Sequence, residues 1–169
     1  MKHKGIRIAL ALIEACIGMA AIGGGIALLI GAMDQWLPVT FLQGTPFSDY
    51  IIPGLVLTIV VGGGMLLAAA TQFIQREWVV LLSVTMGLVM IVWEIVEGAI
   101  IERYEQAVVP STMVQQVLFS VLGLVIIGLA GYLWMTEYRS QHVPILTVIT
   151  VRIRQASSVV VREIKHENL

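Results

Sequence analysis

Four long apolar runs decide most of what this chain can become. They cover about 6–32, 50–73, 78–101 and 112–135. A helix rises ~1.5 Å per residue and a hydrocarbon core is ~30 Å thick, so one crossing needs about 20 residues. Each run reaches that length. Lipid offers the backbone no hydrogen-bond partner, so helices are the natural reading. A very apolar water-soluble bundle would carry a polar residue at every third or fourth position, and these runs do not. Composition agrees. The chain is 58% hydrophobic and 12% charged, against roughly 45–50% and about 25% in soluble domains. The expected fold is all-α: an antiparallel bundle of four transmembrane helices over 1–136, followed by a basic cytoplasmic tail over 137–169.

The start, Met1-Lys2-His3-Lys4, resembles the charged head of a signal peptide. The apolar run behind it continues well past the ~7–15 residues of a signal core, so an uncleaved anchor is expected.

Cations sort by side. Lys2, Lys4 and Arg7 precede the first run, and Arg76 lies between the second and third. Arg139, Arg152, Arg154, Arg162 and Lys165 follow the fourth. The other two loops hold only Arg103, beside Asp34, Asp49, Glu102 and Glu105. Positive charge is retained on the cytoplasmic face, so both termini are expected there, in a multi-pass plasma-membrane protein.

The Gln75-Arg76-Glu77 turn is short and predicts a tight hairpin of the second and third helices. The loop over 34–49 is longer and rich in Trp36, Leu37, Phe41, Leu42 and Phe47. Such residues favour the headgroup layer, so this loop is expected on the membrane surface or folded over the bundle mouth. Ser48 or Asp49 can cap the second helix, and Pro53 is tolerated because it falls in the first turn.

Two glycine triplets echo one another: Gly23, Gly24 and Gly25 in the first run, and Gly62, Gly63 and Gly64 in the second. Small residues let backbones approach in lipid, so close packing of helix one on helix two is expected. A hinge or a ligand groove is the sharper alternative. Gly123, Gly128 and Gly131 suggest a similar role in the fourth helix.

Ionisable residues inside spans usually face a partner or water. Glu94 and Glu97 stand at i, i+3, on one helix face. Gln115 and Gln116 enter the fourth run at a similar depth, so a polar cluster of Glu94, Glu97 and one glutamine is expected. Three readings stay open for it: a structural bridge between helices three and four, a proton or cation site, and a site for a lipid or small molecule. Glu14 lies toward the opposite surface and reads as an isolated carboxylate.

No catalytic set is visible: no Gly-x-Ser-x-Gly, no phosphate loop, and no histidine within a span. His3, His142 and His166 all lie in polar segments, and Cys16 stands alone, so no metal, haem or other cofactor is expected. A net charge of −1 gives no general attraction to nucleic acid.

In the tail, Ile145, Ile149, Ile153, Ala156 and Val160 share one helical face, with Arg154, Ser157, Ser158 and Arg162 largely opposite. A basic amphipathic helix on the anionic leaflet fits, with Arg152, Arg154, Arg162 and Lys165 at the membrane surface. The alternation Ile149-Thr150-Val151-Arg152-Ile153-Arg154 fits a strand instead.

The stretch from Leu42 to Leu55 (LQGTPFSDYIIPGL), together with Trp93-Glu94-Ile95-Val96-Glu97 and Gln115-Gln116-Val117-Leu118-Phe119, resembles small uncharacterised four-helix bacterial integral membrane proteins. The resemblance covers roughly 38–135. It implies a bacterial plasma-membrane location and this hairpin architecture, and it carries no functional residues across. The leading functional expectation is a non-enzymatic accessory or assembly component. Its partners would be the bilayer and a membrane protein or a second copy of the chain. The alternatives are a proton- or cation-coupled transporter or channel using Glu94 and Glu97, and a lipid- or quinone-type binder.

Overall fold

The computed structural model describes residues 3–74, 76–101 and 110–138, with the backbone alone at 101 and 110–112. The tail expectations, including Arg152, Arg154, Arg162 and Lys165, and the loop holding Arg103 lie outside the described residues. The chain divides into two units, Met1–Trp134 and Met135–Leu169. The helical bundle belongs to the first unit.

Helix α1 is Lys4–Leu29. The second span begins as α2, Ile51–Leu55, passes through a π-helical stretch, Val56–Gly63, and ends as α3, Gly64–Thr71. Helix α4 is Glu77–Ile101 and α5 is Pro110–Leu133. A short 3-10 turn, Val39–Leu42, lies in the loop after α1. Among the described residues there is no strand, and four helices are long and apolar enough to cross a membrane. They lie within a few residues of the four apolar runs.

The solvent of this bundle is legible in what it buries. Arg7, Glu14, Gln72 and Ser83 are fully inaccessible, whereas Leu12, Met19, Ile59, Ile95 and Val114 are mostly exposed. A water-soluble fold has the reverse arrangement. Apolar side chains pointing outward are at home against lipid tails.

Local chemistry sets the boundaries. Helix α1 stops at Gly31, whose φ of 71° only glycine adopts readily. The Gly31 amide donates to Leu28 O at 3.2 Å and the Ala32 amide to Ala27 O at 2.9 Å, the paired closure of a Schellman motif. At the second span, Asp49 Oδ1 accepts from the Ile51 amide at 3.0 Å. Pro53 sits in that first turn, where a missing N–H costs nothing. Within the span, Thr58 Oγ1 donates to Gly54 O at 2.8 Å.

The spans pack as two antiparallel pairs: α1 on the second span, and α4 on α5. Each pair is drawn together by glycines. A Cβ on Gly18 would stand 3.0 Å from Gly62 O, and one on Gly54 would stand 3.0 Å from Gly25 O. In the other pair, a Cβ on Gly87 would stand 3.0 Å from Gly123 O. Between the pairs, α3 packs on α4, but α2 makes no backbone approach to α4. The two pairs therefore meet near the 72–76 turn and diverge toward the 30–50 loop. We term these the turn end and the loop end. At the turn end, Trp134 Nε1 donates to Glu77 Oε1 at 2.8 Å, and the His3 ring meets the Tyr132 ring edge-on at 5.7 Å.

Candidate functional site

The divergence of the two pairs leaves a cavity of about 1300 Å³ toward the loop end. Ligand pockets are typically about 300–1,000 Å³, so this one has room for a lipid-sized molecule. Its walls are apolar and come from all four spans, with Ile17 and Val61 among the deeper residues. The loop residues Trp36, Leu37, Phe41, Leu42 and Phe47 also line it, so the loop folds over the bundle mouth. Leu42 is the buried anchor of that cover. Ile52 and Val56 of the second span and Val92 and Val96 of α4 line the cavity while remaining exposed. The cavity is thus open at its side, between those two spans.

Both Glu94 and Glu97 reach this cavity, as does Gln115. Their i, i+3 spacing turns both carboxylates to one side of α4. Glu94 is 6% exposed, and its Oε2 has no hydrogen-bond partner. Glu97 Oε2 accepts from Trp93 Nε1 at 2.9 Å, one turn earlier on the same helix. The expected bridge from a glutamine of α5 to a carboxylate of α4 is not made among the described residues. Gln116 instead rests on the backbone of α4, its Nε2 3.3 Å from where a Cβ on Gly98 would lie. Glycine at 98 leaves the amide room to settle there.

Glu14 departs from the sequence expectation, because it is not isolated. Gln72 Nε2 donates to Glu14 Oε2 at 3.0 Å and to Ser83 Oγ at 2.6 Å. Arg7 Nη1 donates to the Gln72 carbonyl at 2.9 Å. The four residues come from α1, the turn after α3, and α4, and all are fully buried. Through its side-chain amide and its backbone carbonyl, Gln72 ties three segments together. Depth along the spans is the signal that points to it: Glu14, Gln72 and Ser83 all lie within about three turns of the turn end.

The glycine triplets divide. Gly25 and Gly62 are close-approach sites, but they face Gly54 with Thr58 and Gly18 with Ile22, not one another. Gly64 faces Met86 of α4. Gly24 has only ordinary contact with Leu57, Gly63 barely meets its own helix, and nothing lies near a Cβ on Gly23, Gly128 or Gly131. Gly18, Gly54 and Gly87 escape a sequence reading because they lack triplet company. Among the described residues no group of three or more His, Cys, Asp or Glu could hold a metal ion.

No known protein family, curated protein or solved structure matches the chain.

Proposed function

We propose that this protein is a non-enzymatic binder of a membrane-soluble, amphipathic small molecule. Its apolar body would occupy the loop-end cavity and its polar head would meet Glu94 and Glu97. The observation that carries this reading is the cavity itself: large, apolar, covered by an aromatic loop, open sideways, and provided with two carboxylates. Apolar pockets with a few convergent polar groups are the general form of small-molecule sites. On sequence alone the accessory role leads. The cavity puts ligand binding first, and an accessory role then becomes a setting for it, with a larger complex or a second copy receiving the ligand.

Transport is less well supported. Toward the turn end, Leu10, Val61, Met65 and Ala68 are fully inaccessible, so packed side chains separate the cavity from that surface. We place the protein in the plasma membrane with both termini cytoplasmic, on the charge asymmetry of its loops. The cavity then lies in the outer half of the bilayer.

The test is to purify the protein from native membrane and identify co-purifying small molecules by mass. Val89 lines the cavity and is half-buried, so Val89→Trp should fill space without opening the fold. A lipophilic species retained by the wild type and lost from Val89→Trp is the expected result. An identical small-molecule content in both proteins would overturn the reading.

A further inference from the structure

Resting on that reading, we infer that the occupant's head is a protonated amine, set against Glu94 and Glu97, and that it carries no phosphate.

The polar inventory of the cavity is one-sided. Among the described residues its lining holds two carboxylates and no lysine, arginine or histidine. Beside a cationic head both carboxylates are ionised, and ionised carboxylates only accept hydrogen bonds. Tyr50 sends its hydroxyl to Pro38 O at 3.3 Å and Thr85 sends its own to Leu81 O at 2.9 Å. The Gln115 amide brings donors and an acceptor together, and the Trp36 indole in the loop cover adds a single donor against the four oxygens of the two carboxylates. The lining is therefore rich in acceptors and poor in donors. A fitting head must bring donors.

Glu94 gives the stronger indication. It is more than nine-tenths buried, and its Oε2 meets nothing. Buried polar atoms are nearly always satisfied, and an unmet one on a residue that lines the cavity points to a group not yet in place. Glu97 differs, because the Trp93 indole already engages one of its oxygens at 2.9 Å. That bond holds the Glu97 side chain along α4. Glu94 is the acceptor left for a ligand, and Glu97 adds negative charge one turn away.

Three head groups can be compared on this basis. An ammonium offers three donors and no acceptor, and its charge opposes both carboxylates. A quinone head offers carbonyl oxygens, which could bond a carboxyl only where that carboxyl keeps a proton, and it brings no donor of its own. An aminophospholipid brings an amine, but its phosphate would enter the same acidic surroundings with no cation among the described lining residues to receive it. The amine on an apolar chain is the head that matches. Its chain would lie among Ile17, Ala21, Leu57 and Val61, and it would enter between the second span and α4, where the cavity opens to lipid.

The test uses the full-length protein in phosphatidylcholine nanodiscs, with native mass spectrometry of the protein released from them. Equimolar hexadecylamine, hexadecanol and lysophosphatidylethanolamine compete for the protein. Amine adducts should exceed alcohol adducts by about fivefold, the usual margin of a charge-assisted over a neutral hydrogen bond. In Glu94→Gln the two should approach parity, while Val89→Trp should retain less of all three. Equal amine and alcohol binding to the wild type would overturn the inference and leave the binder reading standing. So would lysophosphatidylethanolamine as the dominant adduct, or an amine preference unchanged in Glu94→Gln. Retention of none of the three by the wild type would overturn both. The wild-type ratio decides the question even if a variant fails to fold.

Discussion

Gln72 reaches back from the end of the second span to donate to Glu14 Oε2 at 3.0 Å, while its backbone carbonyl accepts from Arg7 Nη1 at 2.9 Å. One residue thus serves both Glu14 and Arg7 of α1. Gln72→Leu keeps the approximate volume and removes the donor. An unmet buried acceptor costs about 1–3 kcal/mol, and hydrogen bonds between spans average about 0.6 kcal/mol with a maximum near 1.7. Gln72→Leu is expected to destabilise the protein by about 1–3 kcal/mol in a denaturant titration in detergent followed by circular dichroism. Glu14→Gln should lose less, since an amide can still exchange hydrogen bonds with Gln72 and Ser83. Equal losses in the two variants would show that the carboxylate does not depend on this donor.

The glycine contacts give a sharper contrast. A Cβ on Gly25 would collide with Thr58 Oγ1 and lie 2.7 Å from Gly54 O, whereas nothing lies within 4 Å of a Cβ on Gly23. Backbone cannot yield as a flexible side chain can. Gly25→Ala is therefore expected to separate α1 from the second span and destabilise by about 1–3 kcal/mol, the usual cost of overpacking. Gly23→Ala should be neutral or slightly stabilising, because alanine is the better helix former. The same titration reads both, and a loss for Gly23→Ala as large as that for Gly25→Ala would contradict the packing described.

Lipid makes the four spans legible in sequence, because it imposes length and apolarity on every crossing, and a run of that kind has few other fates. The cover over the bundle mouth is legible in the same way, from aromatic residues placed where a soluble loop would be polar. The spacing of Glu94 and Glu97 assigns them one face. What they face depends on two helix pairs diverging, and divergence is set by contacts far apart in sequence. The Gly18–Gly62 and Gly25–Gly54 approaches are such contacts. The more conspicuous triplets hide them. Gln72 and Ser83 are each a lone polar residue near a helix end, where exposure is the ordinary expectation, so nothing local marks them as a buried pair.

The proposed orientation has a direct readout. Ser48, in the 30–50 loop, and Lys4, at the start of α1, are both exposed. In a Cys16→Ser background, single Ser48→Cys and Lys4→Cys variants present one thiol at each end of the bundle. A membrane-impermeant maleimide added to intact cells should label Ser48→Cys and spare Lys4→Cys until the cells are opened. The reverse pattern would put the cavity in the inner half of the bilayer and reverse the proposed topology.

Leu42 anchors the loop that covers the cavity. It is 3% exposed, the most buried large side chain of the 30–50 loop, and it lines the cavity. Its carbonyl also accepts from Thr45 Oγ1 at 2.7 Å and from the Thr45 amide at 3.0 Å, which closes the loop into a turn just before Phe47. Truncation should therefore loosen the cover while leaving the spans in place. Leu→Ala in a fully packed core costs about 2–5 kcal/mol, and a loop side chain with one face on a cavity should fall at the lower end of that range. Leu42→Ala is expected to speed amide hydrogen exchange across 39–45 without changing exchange in α4. If the cover holds the ligand in, the same variant should also release a bound long-chain amine faster. Unchanged exchange across 39–45 would mean that Leu42 does not anchor the cover.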